Sequence, residues 1–255
     1  MEGTMTALLD ARGVVKRFGG LTAVDGVDIS VGAGEMVGLI GPNGSGKTTL
    51  FDCLSRVSSI DSGSITFDGV DISRHRPHQV ARLGLARTFQ LIRVYRELTV
   101  SENMELSIQW GRVGTARLFG RPDPATRRRA ESLLEFLLLA PLRDERAGAL
   151  SGGQRRLLEI GMALMSEPKL VLLDEATSGV NPTLVAEIAD RLREVNSDGV
   201  GILLVEHNVR FVAELCHRVV VLDRGAKLAE GTPRQIMENP AVIEAYFGTD
   251  TERMA

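Results

Sequence analysis

Runs of four or five apolar residues recur along the chain at Met36 to Ile40, Leu170 to Asp174, Gly201 to Val205 and Val219 to Leu222. Three of them are nearly all apolar, which is the pattern of parallel strands covered on both faces. Residues 7–31 predict short strands joined by Gly-containing turns, and Ser64 to Ile72 predicts a hairpin across Asp68-Gly69. Helical spacing fills the intervals. After Asn181-Pro182, with Asn as cap and Pro at the first position, Leu184, Ile188, Leu192 and Val195 fall on one helical face.

From about Ala86 to Met165 the pattern changes: no convincing strand is present, and helix signals dominate. Thr99-x-x-Glu102 reads as a capping box, Arg127-Arg128-Arg129 as the start of a helix with a solvated face, and Gln154 to Met165 as a long amphipathic helix. The tail from Gly225 restarts with a hairpin. Two short helices follow, opened by Thr232-Pro233 and Asn239-Pro240 and closed at Gly248. These patterns predict an α/β core spanning about 7–86 and 166–224, a helical subdomain inserted at about 87–165, and a C-terminal extension at about 225–255, all within one domain of 1–255.

Composition narrows the partners more than the fold. A net charge of −3 gives none of the basic excess expected of a sequence-independent nucleic-acid binder. No apolar run approaches the roughly 18–20 residues that cross a bilayer; the run Leu133 to Leu142 is broken by Glu135 and Pro141. Met1 to Asp10 lacks a charged region followed by a long hydrophobic stretch, so no secretory signal is read there and a cytosolic chain is expected. Cys53 and Cys216 sit in apolar helical patterns and fit buried thiols in a reducing compartment.

The chemistry concentrates where strands end. Met36 to Ile40 runs into Gly41-Pro42-Asn43-Gly44-Ser45-Gly46-Lys47-Thr48-Thr49 and then into a helical pattern, the strand and helix context that a P-loop requires. Glycines at 41, 44 and 46 let backbone N–H groups surround phosphate oxygens, and the following helix directs its positive end at the same anion. Lys47 adds a full charge near the β- and γ-phosphates of ATP, and the Thr48 hydroxyl is a hard oxygen ligand for Mg²⁺. Asp174 ends a buried strand, placed to hold Mg²⁺ through water. Glu175, the next residue, points differently and can meet an attacking water. His207 follows the next apolar strand as a candidate γ-phosphate sensor. Ser151-Gly152-Gly153 opens a helix and reads either as a second, lysine-free anion site or as an ordinary helix cap. His75, His78 and His217 have no comparable context.

In this order the motifs resemble those of the nucleotide-binding subunits of ATP-binding-cassette (ABC) transporters, from about residue 8 to 248. Leu150-Ser151-Gly152-Gly153-Gln154 matches the signature, Asp174-Glu175 the Walker B motif, Gln90 in Arg87-Thr88-Phe89-Gln90 the Q-loop, and His207 the switch histidine. Phe18 stands where an aromatic stacks on adenine, usually a tyrosine. Ser178-Gly179-Val180-Asn181 resembles the D-loop with Asn181 in place of the usual Asp, and Ala176 stands where importers commonly have proline.

The resemblance implies a P-loop NTPase (RecA-like) core with an antiparallel β subdomain and an inserted helical subdomain, ATP hydrolysis, and Gln90 as a further nucleotide and metal contact. It also implies a head-to-tail homo- or heterodimer in which Ser151, Gly152, Gly153 and Gln154 close on the partner's ATP. Two membrane permease subunits would be contacted through Leu91 to Glu97, a periplasmic or lipoprotein solute-binding protein would act indirectly, and the location would be the cytoplasmic, inner face of the plasma membrane. Arg87 to Arg93, Gly231-Thr232-Pro233 and Pro240 to Gly248 look like the branched-chain amino-acid importer group, although LSGGQ is less usual there than LSYGQ. Urea and amide importers share much of that pattern, and lipid-exporter ATPases share the cassette. Cassettes acting on ribosomes or DNA usually carry two copies or a long coiled coil, neither of which is present.

Overall fold

The structure is a computed structural model and describes residues 7–88, 94–107 and 123–251. Two long strands, β1 (Ala7–Phe18) and β2 (Leu21–Gly32), pair antiparallel and, with β4 (Ser62–Phe67) and β5 (Val70–Asp71), form a four-stranded sheet of order β2-β1-β4-β5. The expected short strands of residues 7–31 are therefore two strands of 12 residues each. Register shifts around Gly13, and a second left-handed glycine at Gly26, break their alternation and make each look like fragments. The hairpin at Asp68-Gly69 is present, with φ of 49° and 75° suiting the tight turn.

The second sheet has six strands. β3 (Met36–Ile40), β6 (Leu85–Arg87), β7 (Leu170–Asp174), β8 (Gly201–Val205) and β9 (Arg218–Asp223) run parallel, and β10 (Ala226–Gly231) closes one edge antiparallel, in the order β10-β9-β3-β8-β7-β6. The expectation of no strand after Ala86 is corrected by β6. Its three residues are too few to show a period, and they are held by parallel pairing with β7.

Alternation along the central strands explains their unbroken apolar runs. Val171, Leu173, Ile202 and Leu204 enter one core, while Leu170, Leu172, Leu203 and Val205 enter the other. The second core lies against β1, β2 and helix α1 (Lys47–Leu54). The first lies under α3 (Val100–Ser107), α4 (Pro124–Phe136), α5 (Gly152–Leu164), α6 (Pro182–Ser197) and α7 (Val209–Leu215). α2 (Pro77–Leu83) precedes β6, and α8 (Pro233–Met237) and α9 (Pro240–Thr251) end the described chain. α9 continues past Gly248, which corrects the expected stop there; an interior glycine weakens a helix by about 1 kcal/mol without ending it.

The caps follow the sequence. The Asn181 side chain accepts the Leu184 N–H at 3.0 Å, and Thr99 and Glu102 exchange bonds of 2.7 and 3.1 Å. The arginine run is only partly a solvated face. Arg129 donates to the Leu164 and Met165 carbonyls at 2.6 and 3.0 Å, tying α4 to the C-terminal end of α5.

Both thiols are buried and unpaired. Burial pushes Cys53 up to about 11 and Cys216 up to about 12. Alkylation at pH 8 should therefore find no reactive thiol in the native protein and two after denaturation, with native rates at least about 100-fold below those of a free cysteine. Modification of either at a free-thiol rate in native conditions would show that the packing around α1 or α7 is wrong.

Candidate nucleotide site

The candidate residues converge at the carboxyl ends of β3, β7 and β8, the edge where open parallel sheets hold ligands. A cleft of about 640 Å³ there is lined by the P-loop from Asn43 to Thr49 and by Phe18, Glu175, His207 and Arg224. Phe18 ends β1 and is 53% exposed, with the Lys16 ammonium 5.3 Å from its ring centre, so a ring face is available to stack on a base.

The P-loop owes its shape to its glycines, and two of them for a reason beyond phosphate access. Gly41 and Gly46 have φ of 152° and 99°, and a Cβ on either would strike a carbonyl oxygen, that of Leu222 or of Ala23. Gly44, at φ 79°, faces open space, as a phosphate cradle requires. The loop is braced from behind by the β9–β10 turn, where the Gly225 N–H donates to the Ser45 carbonyl at 3.0 Å and the Gly225 carbonyl accepts the Asp25 N–H at 2.8 Å.

Two observations fit an anionic ligand. Among the described residues no side chain caps the N-terminus of α1, and the buried Ser45 hydroxyl finds no hydrogen-bond partner. Lys47 is buried and folds back, donating to the Gly41 and Pro42 carbonyls at 2.7 and 2.9 Å. Burial lowers its pKa, while Glu175 and Asp174 pull it upward.

Opposite the loop, Glu175 takes φ 49° at the end of β7, which turns its side chain away from the strand's own alternation. Its carboxylate meets His207 Nε2 at 3.2 Å, and both side chains are about half exposed to the cleft. The Asp174 carboxyl is raised first by burial, with Arg87 opposing. Arg87 spans Asp52 of α1 at 2.7 Å and Asp174 at 3.7 Å, and it stacks on Phe51 at 4.6 Å. The oxygen set of Thr48 and Asp174 suits a hard divalent cation such as Mg²⁺. Gln90 lies outside the described residues, as does the start of the Leu91 to Glu97 segment.

Ser151, Gly152, Gly153 and Gln154 do not line the cleft. Ser151 and Gln154 form a reciprocal capping box on α5, with bonds of 2.9 and 3.2 Å, so the cap reading accounts for their side chains. Packing accounts for Gly153, where a Cβ would run into Leu184, whereas one on Gly152 would rest in ordinary contact 3.5 Å from the Gly179 carbonyl. Four residues at this site escaped sequence reasoning. Arg224 and Gly225 come from a hairpin turn, Arg156 of α5 donates to the Asp174 and Glu175 carbonyls, and Glu206 is buried beside His207. None has a local signature, since each acts through a contact distant in sequence.

Known proteins resemble the chain in sequence and in fold. The family model described as "ABC transporter" matches residues 24–178, and that of "Branched-chain amino acid ATP-binding cassette transporter" matches residues 226–252. The chain is 38% identical over 250 residues to the high-affinity branched-chain amino acid transport ATP-binding protein BraF of Pseudomonas aeruginosa, covering 94% of this chain and 98% of that one. It is also 38% identical over 245 residues to the probable branched-chain amino acid transport ATP-binding protein LivG of Archaeoglobus fulgidus, covering 94% and 95%. Among solved structures, the ADP conformation of an ATP-binding cassette of an ABC transporter superposes with a TM-score of 0.86 at 36% identity, over 95% of this chain and 99% of that one. A cleft built from a P-loop, a strand-end acid pair and a histidine, on this fold and with these relatives, makes the chain a member of the ABC transporter ATP-binding proteins, in their branched-chain amino acid group.

Proposed function

We propose that the chain powers uptake of branched-chain amino acids by binding and hydrolysing ATP at this cleft, in a head-to-tail dimer docked on two membrane permease subunits. Among the described residues no helix is long and apolar enough to cross a membrane, which agrees with a peripheral subunit on the inner face of the plasma membrane, with a solute-binding protein acting on it only indirectly through the permeases. One observation carries the reading: Glu175 and His207 share a cleft with Lys47, while the signature residues at the N-terminus of α5 stand outside it.

In this reading Phe18 stacks on adenine, and backbone N–H groups from Gly41 to Thr49 with the Lys47 ammonium hold the phosphates. Glu175 accepts a proton from the attacking water, and His207 contacts the γ-phosphate and steadies Glu175. Mg²⁺, held by Thr48, by Asp174 through water and by Gln90, would neutralise charge on the β- and γ-oxygens. Ser151, Gly152, Gly153 and Gln154 would meet the ATP of the partner subunit, so that nucleotide favours the closed pair and hydrolysis removes those contacts.

The geometry is tested by placing single cysteines at Asn43 and Ser151, in a chain whose own thiols are buried, and adding a short bifunctional maleimide. The expected result is an intersubunit cross-link that forms with ATP and fades with ADP. A yield independent of nucleotide would remove the dimer from the mechanism. Leucine-stimulated ATPase activity in the complex with its membrane subunits tests the cargo.

A further inference from the structure

We propose that Glu206 is a positioning residue for ATP hydrolysis, clamping the loop that follows Glu175 to the turn that carries His207. Glu206 leaves the end of β8 and is only 2% exposed. One carboxylate oxygen accepts the Thr177 N–H at 2.8 Å; the other accepts the Thr177 hydroxyl at 3.0 Å and the His207 N–H at 3.2 Å. Among the described residues no lysine or arginine forms an ion pair with it, and the groups acting on its charge are hydrogen-bond donors.

A buried carboxylate without a cation is costly unless its lone pairs are satisfied, and here only N–H and O–H donors satisfy them. Burial pushes its carboxyl up, and the bonds from Thr177, Asn208 and His207 oppose the shift. Packing alone would be met by a neutral residue of the same shape. An all-acceptor group is required because each oxygen faces a backbone N–H, that of Thr177 or that of His207, which can only donate, and a glutamine would turn its NH₂ against one of them.

The clamp joins two segments that must stay in register for the 3.2 Å contact between His207 and Glu175. The Glu175 N–H also donates to the Val205 carbonyl at 2.8 Å, so the two strand ends are tied on both sides of that contact. From Thr177 the loop continues to Gly179 and Val180, which abut Gly152 and Gly153 at the head of α5. One carboxylate thus fixes the hydrolytic pair and the loop that leads to the signature edge.

The inference rests on the proposed roles of Glu175 and His207. In the purified full-length chain, Glu206→Gln should lower kcat about 10- to 100-fold, because displacement of a reacting group by about 1 Å costs that much. KM and the ATP dissociation constant should stay within about threefold, and Thr177→Val in the Glu206→Gln background should cause little further loss. Should Glu206→Gln not fold, Thr177→Val alone carries the test, with kcat about tenfold lower at unchanged KM.

Wild-type kcat in either folded variant overturns the inference, as does a loss of ATP affinity in step with the loss of rate. Glu175→Gln, run in parallel, separates the two levels. If it hydrolyses normally the underlying reading fails, whereas if it is inactive and Glu206→Gln is normal, only the clamp fails.

Discussion

Glu175→Gln should reduce ATP hydrolysis about 10²- to 10³-fold while leaving ATP affinity within about threefold, since a positioned general base contributes that much to the rate and little to ground-state binding. The substitution is close to isosteric, and Gln accepts the left-handed φ of 49° no worse than Glu, so the fold is undisturbed. What disappears is the basic oxygen 3.2 Å from His207. With chemistry blocked and binding intact, ATP should hold the subunits together, and gel filtration should show a dimer that ADP does not support. A Glu175→Gln chain that stayed monomeric with ATP and hydrolysed it at the wild-type rate would remove Glu175 and the dimer from the mechanism together.

Lys47→Ala should fail at the opposite step. Its ammonium is the full positive charge on the P-loop, and losing charge-assisted bonds worth about 1.5–3 kcal/mol raises the ATP dissociation constant roughly 10- to 100-fold. Isothermal titration with ATP separates this from the Glu175 effect; unchanged affinity would show that Lys47 serves only its bonds to Gly41 and Pro42.

The pH dependence has opposite signs with and without nucleotide. Because burial lowers the pKa of Lys47 in the fold, the unfolded chain holds that proton more tightly, and the free protein gains stability as pH rises from the folded value toward the unfolded one. A triphosphate needs the charged form, so ATP affinity should fall over the same rise, and Lys47→Ala should abolish the slope.

Much of this site could be read in the chain before folding. Ile40 into the glycine-rich loop at Gly41, Leu173 into Asp174 and Val205 ahead of His207 each show a buried apolar strand running into a candidate site residue, because strands covered on both faces leave unbroken apolar runs. Features made by distant pairing were not legible. β6 is too short to carry a pattern and exists through β7, while bulges disguise β1 and β2 as fragments. Glu206, Arg156 and Arg224 look like any charged residue until the fold brings Thr177, the Asp174 carbonyl or the P-loop to them. Sequence patterning reports which way a residue faces along its own element, and these residues matter for what faces them from another.

The β9–β10 turn carries a consequence for how such a protein can be shortened. Gly225 fastens the back of the phosphate loop, and the strand that leaves it opens the stretch 226–252 by which the branched-chain group is recognised. The turn ahead of that stretch is therefore no detachable appendage: Gly225 stands at the rear of the pocket, and removing it would release Ser45 of the loop and Asp25 of β2 from their shared anchor at once.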